Sequence, residues 1–465
     1  MDTDAIAFGT DGWRARRDAF TPARVRAVAQ AVADHLADEG LTGKPVAVGY
    51  DPREDSRDIA EELARVLAAN GHDVLVPERD CPTPLVAFGI VDRDLAGAFM
   101  VTASHNPPEY NGVKFIPADG APALPTVTDA IEANLREPEP LPESEWGSVR
   151  EIDLVEPHAE HVLALVEADL DGRTIAYDAI HGAGRGVTDR LLEQAGATVE
   201  RRRCERDPTF GDGAPEPSPE TLSDLVATVQ NGDANLGIAN DGDADRIAVV
   251  TPRRGYLDEN LLFAALYDYL LEEESGTAIR TVSTTGLIDR IADAAGEEIV
   301  EVPVGFKWVA RAMADHDALI GGEESGGFSI RGHVREKDGV LVALLTAVAD
   351  AEEPLDDRVD RLLDTHGEIH QGRRSLPCPD EEKQGVLRAL ATNRPDEVAG
   401  TPVEGVNEDD GVKLALADGS WLLARPSGTE PKMRVYAEAK TDGRVAELLN
   451  AGERLVEDAR RRAEA

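Results

Sequence analysis

The sequence predicts an α/β protein: three similar α/β domains, with mixed sheets flanked by helices, followed by a smaller α+β C-terminal domain. Two observations carry that prediction. One pattern occurs three times: an apolar strand, a polar or Gly-containing loop, an amphipathic helix, and a small-residue turn into a second strand. The last stretch of chain breaks the pattern, with successive strands and then a long charged helix. A length of 465 residues supports three or four domains with real cores.

The first repeat runs PVAVGYDPRE, SRDIAEELARVLAANG, HDVLVPE. The second runs TIAYDAIHGAGRG, VTDRLLEQAG, ATVERRR, and the third AIRTVSTTG, LIDRIADAAG, EEIVEVPVG. Gly71, Gly196 and Gly296 close the three helices, where a left-handed residue belongs. Their intervals are domain-sized, too long for a solenoid. In the fourth segment GVKLALADGSWLLARPSG predicts two strands turning at Ala417-Asp418-Gly419. MRVYAEAK predicts a third strand, and a helix follows from about Val445. The Pro- and Glu-rich stretch 137–145 predicts a linker after the first unit. The expected domains are 1–150, 151–252, 253–367 and 368–465.

Ninety acidic residues against 48 basic ones give a formal charge of −42, which excludes a nucleic-acid-binding protein that works through a general basic surface. Only eight of the basic residues are Lys and only 4% of the chain is aromatic, a composition suited to staying hydrated in concentrated salt. No apolar run is long enough to cross a bilayer, and the opening MDTDAIAFGTDGWR lacks the order of a signal peptide. Cys81, Cys204 and Cys378 lie far apart, so neither a disulfide framework nor a zinc site is expected. A cytoplasmic protein is expected.

Five short motifs carry chemistry. TASHNPPEYNGVKF follows the apolar run AGAFMV, placing Ser104 where a buried strand emerges, flanked by His105 and Asn106. Taken alone, Ser104 fits an ordinary turn. NDGDADR lies between two apolar runs, with Asp241, Asp243 and Asp245 at alternate positions. Carboxylates so placed converge on a hard cation, and Mg²⁺ suits a few carboxylates plus a phosphate oxygen. An EF-hand is excluded by Arg246 and Pro252 at its sixth and twelfth positions. HGAGRG has the wrong spacing for a dinucleotide fingerprint and predicts a tight turn. GGEESGG offers Glu323 and Ser325, two apart, for neighbouring hydroxyls. RPSGTEPKMR supplies Arg425, Ser427, Gly428 and Thr429, the parts of a phosphate cradle and equally of a β-turn. Two of the eight lysines, Lys114 and Lys307, fall beside these loops.

Together these motifs resemble the α-D-phosphohexomutase family, in particular its phosphoglucomutase/phosphomannomutase group. The match spans the full length, one signature per domain: TASHNP, DGDADR, GEESG and RPSGTEP, opened by FGTDGWR, which carries Arg14. The resemblance implies four domains around one central cleft. It implies a phosphoserine at Ser104 and Mg²⁺ held by Ser104, Asp241, Asp243 and Asp245. Arg14, His105, Lys114 and Arg246 would crowd the transferred phosphate, and Lys307 would act as general acid/base. Glu323 and Ser325 would hold sugar hydroxyls; Arg425, Ser427, Gly428 and Thr429 would grip the other phosphate. The implied reaction interconverts hexose 1-phosphate and hexose 6-phosphate through a hexose 1,6-bisphosphate, which also serves as activator.

One departure bears on the sugar. Many family members place His soon after the second Gly of GExSG, whereas here His333 comes later, in RGHVREKDG. Glucose phosphate is the first expectation, mannose phosphate the second and glucosamine phosphate the third. Two readings from other classes stand beside the mutase: a haloacid-dehalogenase-type phosphatase with Asp241 as nucleophile, and an inactive sugar-phosphate-binding protein.

Overall fold

The computed structural model describes residues 5–9, 12–428 and 430–463. Among them the first sheet has seven strands, in the order Phe8–Gly9, Gly12–Arg16, Tyr110–Pro117, Gly97–Val101, Val46–Tyr50, Val74–Pro77, Val149–Ile152. Its last four strands are mutually parallel and Tyr110–Pro117 returns antiparallel, so the sheet is mixed. Val46–Tyr50 and Gly97–Val101 are buried throughout, as parallel strands covered on both faces must be.

The second sheet runs Gly255–Leu257, Ile247–Thr251, Leu236–Asn240, Thr174–Asp178, Thr198–Arg202. The third runs Ile299–Val302, Ala278–Thr281, Ile320–Gly322, Phe328–Ile330. In all three domains the predicted strand–helix–strand repeat is present with its two strands parallel and adjacent. Gly71, Gly196 and Gly296 have φ of +87°, +103° and +77°, the left-handed stop expected of them.

The fourth sheet is antiparallel: His370–Pro377, Lys432–Ala439, Trp421–Pro426, Val412–Leu416, Thr401–Asn407, Glu397–Val398. The helices Asp380–Thr392 and Asp442–Ala463 pack together on it. The strands His370–Pro377 and Thr401–Asn407 were not expected from sequence. Both alternate half-buried and exposed residues with few large apolar side chains, so their pattern is faint.

Two expectations about chain division change. Residues 137–145 do not form a free linker: Leu141 N–H and Gly147 N–H donate to the carbonyls of Ala69 and Ala68. The stretch then delivers Val149–Ile152 into the first sheet, across the limit expected at 150. Gly255–Leu257 likewise pairs back onto Ile247–Thr251, across the limit expected at 252.

The first three domains share one apolar core, from Leu85 and Val86 through Tyr177 and Ile238 to Leu341 and Leu345. The helix Gly339–Glu352 lies within it and is apolar on every side, as a fully enclosed helix must be. Its first turn is held by Asp338, whose Oδ1 accepts from Val340 N–H and Leu341 N–H at 2.8 Å. The other oxygen of Asp338 meets the Nε2 atoms of His158 (2.6 Å) and His333 (2.8 Å), joining the second and third domains. Burial opposes ionisation of Asp338, yet the two imidazoles outweigh it and hold the carboxyl well below its ordinary range. Phe88, from the first domain, stacks on His333 at 5.9 Å between ring centroids. His333 is therefore part of a three-domain junction rather than of the loop at Glu323.

A substitution pair tests the left-handed stops. Alanine at Gly296 meets nothing within 4 Å, so it carries only the backbone cost of about 1–2 kcal/mol. At Gly196 the added Cβ lands 2.5 Å from Asp171 Oδ1 as well. Gly196→Ala is expected to lower stability more than Gly296→Ala in urea melts, and equal midpoints would refute the crowding.

Candidate functional site

The loop after Gly97–Val101 is shaped from beneath by a buried arginine. Arg53 is 1% exposed and uses all five of its N–H donors. Nε donates to Asp51 Oδ2 (2.9 Å), Nη1 to the carbonyls of Pro107 and Tyr110, and Nη2 to those of Ser104 and Asn106 (both 2.7 Å). Asp51 also accepts from Thr102 Oγ1 (2.8 Å), and Thr102 Oγ1 accepts from Ser104 N–H (2.8 Å). Ser104 itself has φ of +50°. This network fixes a strained backbone so that Oγ turns toward the second domain.

There Ser104 Oγ donates to Asp241 Oδ2 at 2.8 Å. Asp241, Asp243 and Asp245 lie on the turn joining Leu236–Asn240 to Ile247–Thr251, and all three are 0% exposed. Gly242 lets this turn approach, because a Cβ there would stand 2.5 Å from the Ser104 carbonyl. Thr83, on the first domain, donates to Asp243 Oδ2 at 2.6 Å.

Each aspartate brings an oxygen within 4.8 Å of the others, and Asp243 Oδ1 is buried with no hydrogen-bond donor. Burial, followed by repulsion from Asp245, pushes the carboxyls of Asp241 and Asp243 above their ordinary range. Three crowded oxygen donors of this kind fit a hard divalent cation. Asp241, Asp243 and Asp245 would hold it, with Ser104 Oγ beside them.

The cationic side chains gather here too. Arg14, on Gly12–Arg16, reaches Asn106 Oδ1 at 3.4 Å. Lys114, on the neighbouring strand, is buried and acts on Asp243. Arg246 lies beside Asp245, with Nε 3.8 Å from Oδ1. His105 Nδ1 stands 3.2 Å from Ser104 Oγ. Burial, helped by Arg246 and Arg14, pushes that imidazole down to about 3, so it is neutral at pH 7.

Lys337, which the sequence motifs do not include, is 6% exposed and places Nζ 2.9 Å from Asp245 Oδ2. A signal for it exists: it is one of eight lysines, two residues beyond Arg335 and next to the helix cap Asp338.

The third domain adds the turn at Glu323. It closes through Glu323 N–H to the Gly327 carbonyl (3.1 Å) and joins the aspartate turn through Ile247 N–H to the Gly326 carbonyl (3.0 Å). Glu323 is buried, which pushes its carboxyl up, and Oε1 accepts from Gly305 N–H at 3.0 Å. That contact joins it to the loop leading into the helix Phe306–His316, where Lys307 is the second residue. Ser325 is half-buried on the same turn.

In the fourth domain Arg425 is bound side-on by Asp410, whose Oδ2 accepts from Nε at 2.9 Å and lies 2.9 Å from Nη2 as an ion pair. Ser427 is buried, with its N–H bonded to the Lys432 carbonyl, and Lys383 Nζ holds the carbonyls of Ser427 (2.6 Å) and Glu430 (2.7 Å). Gly428 is exposed, and Thr429 lies outside the described residues. The turn HGAGRG serves as a domain anchor: Arg185 Nη1 and Nη2 donate to Asp80 of the first domain at 2.5 and 2.7 Å.

Loops from the first three domains meet here, bringing a hydroxyl, carboxylates and cations together, and the class this fold and site point to is an intramolecular phosphotransferase, an isomerase. Four models of the phosphoglucomutase/phosphomannomutase type match in chain order: alpha/beta/alpha domain I over 5–141, domain II over 156–255, domain III over 258–366 and the C-terminal domain over 376–453. The chain belongs to the phosphoglucomutase/phosphomannomutase family.

It is 33% identical to a probable phosphoglucosamine mutase of Methanopyrus kandleri over 447 residues, 95% of each chain. It is 30% identical to the phosphoglucomutase/phosphomannomutase of Thermococcus kodakarensis, covering 97% of this chain and 98% of the relative. Among solved structures, a candidate phosphomannomutase of Thermus thermophilus superposes with a TM-score of 0.83 at 32% identity, covering 97% and 99% of the two chains. The N-acetylphosphoglucosamine mutase of Aspergillus fumigatus, solved with GlcNAc-6P and magnesium, shares the fold at a TM-score of 0.61 and 15% identity, over 99% and 96% of the chains. The family match removes the haloacid-dehalogenase reading. No described helix is long and apolar enough to cross a membrane.

Glu259, beneath the Glu323 turn, gives a pH test. Burial pushes its carboxyl up to about 7 against the Tyr256 hydroxyl that donates to it. Ionising it in the fold therefore costs stability as pH rises from its unfolded value toward 7. Glu259→Gln is expected to stabilise the protein at pH 8 by on the order of 2 kcal/mol and to leave it unchanged at pH 4. Melts at the two pH values check this, and an equal gain at both would exclude the titration.

Proposed function

We propose that this protein interconverts hexose 1-phosphate and hexose 6-phosphate, with Ser104 as phosphoryl carrier and a hexose 1,6-bisphosphate as intermediate and activator. The supporting observation is the 2.8 Å contact of Ser104 Oγ with Asp241, inside a buried cluster of three carboxylates ringed by cations. Mg²⁺, held by Asp241, Asp243, Asp245 and the phosphoserine, would neutralise charge on the transferring group.

The chain's own residues supply the rest. The bond from phosphorus to Ser104 Oγ breaks as one forms to the free sugar hydroxyl, whose proton passes to Lys307. The second phosphate then returns to Ser104 after the bisphosphate turns over. Arg14, Lys114 and Arg246 surround the moving charge, and neutral His105 stands beside the nucleophile without adding charge. Positioning and charge neutralisation are what phosphoryl transfer requires of a protein. Glu323 and Ser325 hold sugar hydroxyls, while Arg425, Ser427, Gly428 and Thr429 grip the phosphate that is not moving.

Glucose phosphate is the first substrate, mannose phosphate the second. Glucosamine phosphate is the alternative, favoured by the naming of the Methanopyrus kandleri relative. The substrates are small anionic sugars in a cytoplasmic enzyme, with no nucleic acid or membrane involved.

Intact-mass measurement after incubation with glucose 1,6-bisphosphate and Mg²⁺ is expected to show one added phosphoryl group, absent from Ser104→Ala. Ser104→Ala should reduce turnover at least a thousandfold, and near-normal activity would move the nucleophile elsewhere. Turnover on glucose, mannose and glucosamine 1-phosphates should vanish with chelator and return with Mg²⁺.

The −42 charge adds an expectation of salt adaptation. Activity and melting temperature should rise from low to multimolar KCl. Full stability and activity without salt would refute it.

A further inference from the structure

We propose that Asp410 is a positioning residue for the phosphate-binding loop: it pre-orients Arg425 and ties it to the loop that carries Lys307. The inference rests on the reading of Arg425 as the grip on the non-transferring phosphate.

Asp410 precedes the strand Val412–Leu416, whose Val412 pairs with Ala424, the neighbour of Arg425 on the strand Trp421–Pro426. The pairing is close: a Cβ on Gly411 would stand 2.4 Å from the Ala424 carbonyl and 2.7 Å from Arg425 Cβ. Sheet register thus sets the Asp410 carboxylate against the guanidinium. Its Oδ2 takes two donors, Arg425 Nε at 2.9 Å and Val304 N–H of the third domain at 3.1 Å, and lies 2.9 Å from Arg425 Nη2 as an ion pair. The two side chains are only 12% and 17% exposed.

Two consequences follow from the geometry. A side-on carboxylate occupies the Nε edge of the fork and leaves its outer edge for a second, bidentate partner such as a phosphate. A long side chain held in advance also loses less freedom when that partner arrives.

The contact with Val304 adds coupling between domains. Val304 and Gly305 are consecutive, and their N–H groups hold Asp410 from the fourth domain and Glu323 from the sugar turn. Lys307 follows two residues later. The same carboxylate therefore fixes the direction of Arg425 and the seat of the fourth domain against the loop of the proposed acid/base.

A double-variant cycle separates positioning from simple domain packing. Affinity for glucose 6-phosphate is measured by calorimetry, at one KCl concentration, for the full-length wild type, Asp410→Asn, Arg425→Lys and the double variant. Asparagine keeps an acceptor for Val304 N–H but removes the charge that holds Arg425. Asp410→Asn is expected to weaken binding about tenfold in the wild type and twofold or less beside Arg425→Lys. In turnover its KM should rise with kcat within twofold, a split that general misfolding does not give. An equal loss in both backgrounds, or no loss in either, overturns the proposal. Coupled binding in a wild type that turns over no hexose phosphate leaves Asp410 in its role and removes the mutase reading instead.

Discussion

Everything at this site depends on the buried pair of Asp51 and Arg53. A buried ion pair is weak support for stability, since desolvation offsets its attraction. Here its worth is geometric. Four of the five guanidinium donors end on backbone carbonyls between Ser104 and Tyr110, so the pair acts as a template for the whole loop. Without it those carbonyls would lose their donors, and the left-handed backbone at Ser104 would relax toward an ordinary turn. Phe210 of the second domain lies over the Arg53 guanidinium at 5.0 Å, so the template is also covered from the side of the aspartate turn.

From that template hydrogen bonds lead from each domain to the next. Ser104 Oγ reaches Asp241, Ile247 N–H reaches Gly326, and Val304 N–H reaches Asp410. Each bond crosses from one domain to the next in chain order. Geometry at the serine therefore passes along hydrogen bonds to the arginine of the last domain. The apolar core common to the first three domains keeps that relay rigid, while the fourth domain has a core of its own and meets the third through polar groups such as Glu301 with Lys413 and Asn407 and through a small apolar cluster of Val282, Val304, Trp421, Leu423 and Tyr436. A mixed interface with so small an apolar cluster separates at lower cost than a large shared apolar core. Domain movement, if substrate drives it, is thus located between the third and fourth domains.

Much of this was legible in the sequence, for a physical reason. Strand–helix–strand repeats announce themselves through local periodicity, and the glycines that stop their helices need a backbone that other residues resist. The motifs at Ser104, Asp241, Glu323 and Arg425 were equally visible, because each packs several polar residues of restricted type into one short stretch. What escaped notice was either weakly patterned or distant in sequence. The edge-like strands of the fourth domain carry few large apolar residues. Arg53, Lys337 and Lys383 each act on a loop that lies far along the chain, as Asp410 does on Val304, and spacing holds no record of such contacts. His333 comes later than the family's usual His after GExSG, and an aspartate five residues on draws it into a junction of domains.

Lys337 also has a steric consequence for the turn at Glu323. The residue after GEESG is Gly327, and a Cβ built there would stand 2.4 Å from Lys337 Cδ and 2.9 Å from its Cγ. The stem of Lys337 occupies the space that a side chain at 327 would need, on its way to Asp245. A large residue at 327 and a lysine at 337 following this path exclude each other. In this chain the aliphatic stem of Lys337 and the bare backbone of Gly327 therefore lie together beside the Glu323 turn, from which Nζ continues to Asp245.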